Sequence, residues 1–247
     1  MIKKPLISII TVSFNAVDTI EQTILSVINQ SYSNIEYIII DGGSTDGTID
    51  IIKKYENKIS FWMSEPDKGI YDAMNKGINL SNGEWVNFMN CGDWFASNEC
   101  IDKNIEYFND NKLVIYSDNI RSNYKKNQNS YRKASKINKI TRGMVFCHQS
   151  SFIHKPKENK LYYNLDYKIC ADYELFLRIY LKHGTKAFAY VDEPISVYEI
   201  QNGISSKFKN KLYKEKLQIH LKEKLYFSLI IDIIHYTRNV LNSILSD

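Results

Sequence analysis

The stretch LISIITVSF, from Leu6 to Phe14, is an almost continuous apolar run rich in isoleucine and valine. Such a run is typical of a β-strand that is buried on both faces of a sheet. The next segment, Asp18 to Gln30, has its apolar residues at helical spacing, with Asp18 or Thr19 as its predicted cap. A second apolar run, IEYIII from Ile35 to Ile40, follows. The chain therefore begins as strand, helix, strand.

The same alternation continues as far as the fourth predicted strand. The sequence predicts helices at Ile49–Tyr55 and Ile70–Leu80 and strands at Ile59–Ser64 and Trp85–Asn90. Strands and helices that alternate through short loops form right-handed crossovers and a mainly parallel sheet. Ligands of such sheets bind beyond the carboxyl ends of the strands. That rule selects the segments after the predicted strands, which are SFNA, DGGSTDGT, EPDKG and NCGDWF.

The pattern changes after about Phe95. The sequence then predicts a strand at Leu113–Tyr116, extended segments at Met144–Ile153 and Ala187–Tyr198, a helix at Cys170–Leu181, and helices toward the end of the chain. Between Arg121 and Ile140 lie seven Lys or Arg residues and no acid. Such a charge run is a solvated face or a surface for an anionic partner.

Composition narrows the class of protein. The chain has 247 residues, of which 44% are apolar and 24% charged, as expected of a globular protein with a sizeable core. No apolar run reaches the roughly 18 to 20 residues of a membrane span, and no small-residue cleavage site follows the N-terminal apolar run. The four cysteines form no CxxC pair or zinc spacing, which indicates free thiols in a reducing compartment. We expect a cytoplasmic protein, and no nucleic-acid partner.

Four segments together resemble a known family. PLISIITVSFN, IIIDGGSTDGT, EPDKGIYDAMNKGI and GEWVNFMNCGD, in this order and spacing, resemble the family 2 glycosyltransferases over about residues 4 to 200. DKGIYDAMNKG is similar to the bacterial subgroup that assembles capsule, exopolysaccharide and O-antigen units. The resemblance implies an α/β GT-A fold, a Rossmann-like and mainly parallel sheet flanked by helices, with a C-terminal helical extension. It also implies inverting transfer of a sugar from a nucleotide-diphospho-sugar, UDP-linked, to a glycan or lipid-linked acceptor.

The resemblance also suggests a division of the chain. Residues 1–95 would form the nucleotide-sugar-binding half of the GT-A domain and residues 96–205 the acceptor-binding half of the same domain. Residues 206–247 would form a basic amphipathic helical tail.

The first two strand ends carry the predicted nucleotide contacts. The resemblance implies that Phe14 stacks on the base, beside Asn15, and that Asp41 accepts a hydrogen bond from the uracil ring or the ribose. The alternatives are a core phenylalanine and a carboxylate that caps the Gly42–Gly43 turn.

The loop after the third strand carries further donor-binding candidates. Asp67, Lys68, Asp72 and Asn75 lie in or just after it. Lys68 can offset the charge of the diphosphate, or it can be a solvated surface lysine. The wider family often has an arginine where Met74 stands here, which increases the interest of Lys68 and Asp72.

The segment after the fourth strand is the predicted metal site. Family 2 enzymes usually have a DxD-like run here, whose carboxylates hold Mg²⁺ or Mn²⁺ against the diphosphate. This chain reads Asn90–Cys91–Gly92–Asp93, with one carboxylate. Cys91 is a poor ligand for a hard cation, which prefers oxygen. We therefore expect Asp93 to contact Mn or Mg, with Asn90 as an amide ligand or ribose contact; the alternative is a residue that closes the strand turn.

The second half of the chain should supply a general base, which removes the proton of the attacking hydroxyl. ADYEL, from Ala171 to Leu175, resembles the acidic segment of the family, and Asp172 is the predicted base. Helix capping is the alternative role, and Glu174 is the reserve candidate on a different helix face. His148, in FCHQSSF, holds a phosphate or the acceptor, or is a structural polar residue.

The tail is basic and then apolar. From Ser206 to Tyr226 there are seven lysines and two glutamates, and the apolar block LYFSLIIDII overlaps the end of this stretch. This pattern predicts a helix on an anionic membrane surface, at the inner face of the plasma membrane. The alternative is a helix packed on the catalytic domain. The resemblance adds an acceptor linked to undecaprenyl diphosphate, which such a tail would bring close.

Two other functions compete with glycosyl transfer. Sugar nucleotidylyltransferases have a glycine-rich GxGxR-type loop after the first strand, where this chain has SFNAVDT, so that class is disfavoured. A non-catalytic nucleotide-sugar-binding protein with a degenerate transferase fold is the alternative function, because the metal motif retains only one carboxylate.

Overall fold

The structure is a computed structural model that describes residues 4–109, 111–123, 126, 128–155, 161–200 and 208–245, with side chains to 237 in the last helix. The strands are β1 (Ile7–Ser13), β2 (Ile35–Asp41), β3 (Phe61–Ser64), β4 (Trp85–Phe88), β5 (Trp94–Phe95), β6 (Val114–Asn123), β7 (Gln128–Arg132), β8 (Ser151–His154) and β9 (Phe188–Glu199). The α-helices are α1 (Ile20–Ile28), α2 (Thr48–Lys54), α3 (Ile70–Leu80), α4 (Ala171–His183), α5 (Lys209–Lys222) and α6 (Tyr226–Leu245).

The strands that the structure describes form a single sheet in the order β3-β2-β1-β4-β8-β6-β9-β5, with β7 paired to β6. β3, β2, β1 and β4 are parallel to one another, as the alternation of strands and helices predicted. Beyond β4 the sheet is mixed, because β8 runs antiparallel to both β4 and β6 while β6 and β9 are parallel. The expected mainly parallel sheet is therefore correct for the first half only.

The central strand β1 is buried at every position. Its alternate residues pack into two different cores, with Ile10 and Val12 on one face and Ile7 and Ile9 on the other. Burial on both faces is the arrangement that the continuous apolar run predicted. β1 can therefore carry its last residues to a fixed position at the carboxyl edge of the sheet.

Parts of the second half differ from the sequence expectation. β6 continues seven residues past the predicted end at Tyr116, and β7 lies within the basic segment, where no strand was predicted. β7 has the sequence QNSYR and is exposed throughout. Its strand conformation comes from pairing with β6, and its sequence has no apolar pattern from which a strand could be predicted. The segment predicted as extended from Met144 contains a short 3₁₀ turn, His148–Ser150, before β8.

The helical tail packs against the rest of the molecule. Ile219 of α5 is fully buried and belongs to the same core as Phe176 of α4. The first predicted boundary, near residue 95, is crossed by the sheet, since β5 pairs with β9. The division into three parts stays a prediction, but the described tail is in contact with the acceptor half. Within the described ranges, no helix combines the length and apolar character needed to cross a membrane.

Candidate active site

Three strand ends meet around the carboxylate of Asp41. Ser13, Asp41 and Ser64 are neighbours in the sheet register, because β1, β2 and β3 are parallel. Asp41 is fully buried and accepts hydrogen bonds from the hydroxyls of Ser13, Ser44 and Ser64 at 2.9, 2.5 and 2.6 Å. The backbone N–H groups of Gly43 and Ser44 also donate to it, at 3.1 and 2.8 Å.

This arrangement sets the charge of Asp41. Burial acts to raise its pKa, but the hydrogen bonds from Ser44, Ser64 and Ser13 outweigh that effect and lower the pKa, so the carboxylate is ionised. A carboxylate has about four acceptor positions, and five donors already surround this one. The structure thus confirms the turn-capping role that was the alternative. The contact with uracil or ribose stays a prediction, and it requires one of the serine hydroxyls to turn away.

Phe14 lies at the surface beside the same turn, with 64% of the residue exposed. A side chain at Gly42 would meet the Phe14 ring at 3.3 Å and Asp67 Oδ2 at 2.6 Å, so the glycine lets all three segments approach closely. Asn15 follows with a left-handed backbone (φ 46°) and accepts a hydrogen bond from the Thr45 N–H at 3.0 Å. An exposed ring above a tight turn has an open face for stacking.

The remaining donor-binding candidates lie around the start of α3. Asp67 accepts the Gly69 N–H at 2.7 Å, and Asp72 accepts the backbone N–H of Lys68 at 3.0 Å. Both acids therefore shape the loop, while the Lys68 side chain lines a pocket between this loop and residues 165–168. Asn75 exchanges two hydrogen bonds with the backbone of Tyr163, at 2.9 and 2.8 Å. Its amide thus joins α3 to the acceptor half, and a donor contact would have to replace one of these bonds.

Four residues from distant parts of the sequence, Asn90, His148, Asp172 and Tyr71, form one hydrogen-bonded cluster. Asn90 Nδ2 lies 3.0 Å from His148 Nε2, and His148 Nδ1 lies 3.3 Å from Asp172 Oδ2. On the other side of Asp172, the Tyr71 hydroxyl donates to Oδ1 at 3.1 Å. The side chains of His148 and Asp172 are 17% and 19% exposed, so they are held in place yet reachable from solvent.

The reserve base lies elsewhere. Glu174 is buried, and its Oε1 lies 3.2 Å from Nε of Arg178, one helical turn further along α4. Residues two apart on a helix face different directions, which explains why Asp172 joins the cluster and Glu174 does not.

Asp93 points into the protein. It is 5% exposed, and its two carboxylate oxygens accept hydrogen bonds from Gln149 Nε2 at 2.5 Å and from the Glu199 N–H at 3.0 Å. Burial raises its pKa to about 7, and the bonds from Glu199 and Gln149 only partly oppose that rise. Asp93 therefore links the turn after β4 to β9 and to the 3₁₀ turn that contains His148.

The residues present do not fit the expected metal contact at Asp93. Both of its oxygens already hold protein donors, and Gly92 and Cys91 beside it add no hard oxygen ligand. The described part of the chain contains no group of three or more His, Cys, Asp or Glu side chains placed to hold a metal ion. Asn90 Oδ1 is buried without a hydrogen-bond partner, so this amide oxygen could take a new ligand.

The raised pKa of Asp93 makes a prediction about stability. Its folded pKa of about 7 lies above the unfolded value of roughly 3.9, so the folded state holds a proton that the unfolded state releases. The stabilisation from this proton is complete below pH ~4 and is lost as pH rises through ~7. In Asp93→Asn this loss should be absent. From pH 5 to pH 8, the free energy of unfolding of the wild type should therefore fall by on the order of 2 kcal/mol relative to that of the variant. Urea denaturation of both proteins at the two pH values gives the measurement. Parallel pH profiles for the two proteins would contradict the assignment.

Two residues that contact the predicted site residues were not singled out from the sequence. Tyr71 donates to the candidate base, and Gln149 holds Asp93. Each stood beside a residue that was singled out, Tyr71 next to Asp72 and Gln149 next to His148. Position next to a predicted site residue was therefore the available signal.

Comparison with known proteins identifies the family. The model of the family described as "Glycosyl transferase family 2" matches residues 8–183. A glycosyltransferase of Mycobacterium tuberculosis, itself described as uncharacterised, is 32% identical over 211 residues, which are 80% of this chain and 74% of the relative.

Solved structures show the same fold. Residues 1–349 of Staphylococcus aureus TarS, in complex with UDP-GlcNAc, superpose with a TM-score of 0.70 at 16% identity, covering 87% of this chain and 65% of that one. The mannosyltransferase PcManGT of Pyrobaculum calidifontis, in complex with GDP-Man and Mn²⁺, gives 0.67 at 13% identity, covering 90% and 64%. The chain thus spans less than two thirds of either solved protein, and these likenesses show the GT-A fold alone. With the family match over most of its length, the chain belongs to glycosyltransferase family 2.

Proposed function

We propose that this glycosyltransferase moves a sugar, with inversion, from a UDP-linked donor to a hydroxyl of a lipid-linked or glycan acceptor. The observation that carries the proposal is the hydrogen-bonded cluster of Asn90, His148, Asp172 and Tyr71 at the carboxyl edge of the sheet. A carboxylate that is partly exposed and held by two neighbours has the properties of a positioned general base. The presence of all four residues also favours catalysis over the alternative of a non-catalytic nucleotide-sugar-binding protein with a degenerate transferase fold.

In the proposed step, the acceptor oxygen attacks the anomeric carbon as the bond from that carbon to the donor diphosphate breaks. Asp172 takes the proton from the attacking hydroxyl. Tyr71 and His148 keep the carboxylate oriented toward the acceptor, because each contacts a different oxygen. Attack from the face opposite the diphosphate would produce the inversion.

The donor would lie along the ends of β1, β2 and β3. Phe14 would stack on the base, and Lys68 would offset part of the diphosphate charge. The complexes of TarS with UDP-GlcNAc and of PcManGT with GDP-Man support a nucleotide-sugar donor for a chain of this fold. Family membership and the Mn²⁺ of PcManGT favour a divalent metal, Mn or Mg. Asp93 does not fit the metal role, so no step above depends on a metal.

A donor screen tests this function. Thermal unfolding should be followed with UDP-GlcNAc, UDP-glucose, UDP-galactose and GDP-mannose, together with release of UDP or GDP. We expect one UDP-sugar to raise the Tm and to be turned over. In Phe14→Ala the affinity for UDP should fall about tenfold, because one base–aromatic stack is lost. The Tm of that variant without ligand should stay unchanged, since Phe14 is mostly exposed. Absence of both protection and turnover with every donor would reject the proposal.

We also propose that the tail binds an anionic membrane at its cytoplasmic face, near a lipid-linked acceptor. α6 has its polar and apolar sides reversed: Ser228 and Asp232 are buried, whereas Phe227, Ile230 and Ile234 are 65%, 58% and 59% exposed. These exposed positions recur at helical spacing and so form one outward row. A solvent-facing row of this size marks a surface that another phase or partner covers.

Charge around this row favours anionic lipid over a protein partner. The Arg142 guanidinium lies 5.5 Å from the centre of the Phe227 ring. α5 and the turn after it present exposed lysines, at Lys209, Lys211, Lys214, Lys222 and Lys224. A tail that carries both exposed lysines and an outward apolar row has the composition typical of helices that lie in the interface of an anionic leaflet.

Vesicle binding tests the membrane proposal. The triple variant Phe227→Ser, Ile230→Ser, Ile234→Ser should lose about 10–100-fold in affinity for phosphatidylcholine vesicles that contain phosphatidylglycerol, because three apolar side chains no longer insert. Leu181→Ser, at an exposed apolar site on α4, serves as the matched control and should bind as the wild type does. If the wild type sediments as a dimer through this row and ignores the vesicles, the row is a protein interface and the membrane proposal fails.

A further inference from the structure

The tail holds the loop that leads into α4, and it does so through one buried carboxylate. Glu215 of α5 accepts hydrogen bonds from three consecutive backbone N–H groups. The donors are Lys168, Ile169 and Cys170, at 2.9, 2.8 and 2.9 Å. Bonds to an ionised acceptor are stronger than neutral ones, so this contact fixes the orientation of the three peptide groups just before α4.

The fixed loop reaches the candidate base through Tyr71. The carbonyl of Ile169, whose N–H is bound to Glu215, accepts the Tyr71 hydroxyl at 2.8 Å. The same hydroxyl lies 3.1 Å from Asp172 Oδ1, so its single proton is shared between the two acceptors. Burial, and then the charge of Asp172, raise the pKa of Tyr71 well above its usual value, so the hydroxyl keeps its proton and acts as the donor. The position of the Ile169 peptide therefore decides where Tyr71 points.

A second contact of the tail lies on the other side of the base. His220 of α5 is fully buried, and its Nε2 lies 2.7 Å from the hydroxyl of Tyr173, the residue after Asp172. Its Nδ1 lies 2.7 Å from Asp232 of α6, which also pairs with Lys216 at 2.8 Å. α5 thus contacts the chain both before and after Asp172, and Asp232 of α6 holds the His220 that makes the second contact.

These contacts come from outside the part of the chain that the family model matches, which ends at residue 183. The tail therefore lies outside the region that the family model matches, and it supports the segment that carries the candidate base.

We propose that Glu215 is a positioning residue for sugar transfer. It sets the 168–170 loop so that Tyr71 and Asp172 take up the geometry in which the acceptor hydroxyl loses its proton. This inference rests on the proposed function, because it assigns Asp172 as the base. Small displacements of a reacting group lower turnover steeply, while the predicted nucleotide contacts at Phe14 and Asp41 lie at the ends of β1 and β2.

The test compares Glu215→Gln with Glu223→Gln, a charge-matched control near the end of α5. Glutamine keeps the shape of Glu215 but removes its charge, and Glu215→Asp keeps the charge while shortening the reach. We measure kcat and KM for the UDP-sugar found in the donor screen, together with amide hydrogen exchange at residues 168–170. In Glu215→Gln, kcat should fall at least tenfold with donor KM within about twofold of wild type, and exchange should accelerate at least tenfold. Glu215→Asp should be intermediate, and the control should match wild type.

The outcomes are separable. Unchanged exchange in Glu215→Gln, or accelerated exchange with unchanged kcat per folded molecule, would overturn the positioning role. An equal change in kcat for Glu223→Gln would also overturn it, because the effect would then follow tail charge in general. Failure of the proposed function would show itself in the wild type, as no turnover of any nucleotide-sugar, whereas failure of the Glu215 inference shows only in the comparison of variants.

Discussion

Replacing Asp172 with asparagine is expected to lower kcat by about 10²–10⁴-fold, the usual contribution of a general base. The amide keeps the size of the carboxylate and can still accept the Tyr71 hydroxyl, but it cannot take the proton of the acceptor. Binding of UDP, measured by calorimetry, should stay within about twofold of wild type, because the predicted nucleotide contacts lie at the ends of β1 and β2. Steady-state turnover of the donor identified by the screen provides the measurement.

Glu174→Gln is the matched control for this prediction. It removes a carboxylate two residues along the same helix, where the structure pairs it with Arg178 outside the cluster. We expect a modest loss of stability and nearly unchanged kcat. If Asp172→Asn retains full activity while Glu174→Gln loses it, Asp172 is not the base and Glu174 takes that role.

The second large effect is expected at Asp41. Asp41→Ala should lower the free energy of unfolding by about 4 kcal/mol, because it leaves buried N–H and hydroxyl donors without an acceptor. The serine hydroxyls can rotate toward other acceptors, but the N–H groups of Gly43 and Ser44 cannot. Urea denaturation at pH 7 gives the measurement, and binding of UDP by the folded fraction gives a second one.

Asp46→Ala provides the comparison. Asp46 also accepts backbone and hydroxyl donors, from Val17 and Thr48, but its carboxylate is at the surface, where water can replace it. We expect a much smaller loss there than at Asp41, because water can take the place of the exposed carboxylate. Equal losses at Asp41 and Asp46 would show that the burial of Asp41 does not set its importance.

Local patterns predicted the first half of the fold well. The apolar runs and helical spacings up to Trp85 gave the strands and helices of the parallel region to within a few residues. The rule about the carboxyl ends of parallel strands then brought Phe14, Asp41 and Asp67 together, since register follows from parallel pairing. Asp172 was found by resemblance, and the structure adds its contact with His148.

The rest depends on contacts between residues far apart in sequence. Asp93 faces inward because its partners are Gln149 and Glu199, and nothing in the NCGDWF segment indicates them. Glu215 was counted as one of two acids in a basic tail, and its role comes from the three N–H groups it meets after folding. A single sequence carries no signal for such pairs, whereas periodicity and turn residues carry signals for local structure.

The pairing of Asp93 with Glu199 has a consequence for biosynthesis. The two residues are 106 positions apart, and β5, which follows Asp93, pairs with β9. At about 5 to 20 residues per second, a ribosome needs roughly 5 to 20 s to reach Glu199 after it has added Asp93. During that interval the nascent chain can form β1 to β4 with their helices, while the turn around Asp93 and β5 lack the contacts that β9 later supplies. The unpaired edge of this early sheet is therefore where a chaperone would be expected to bind.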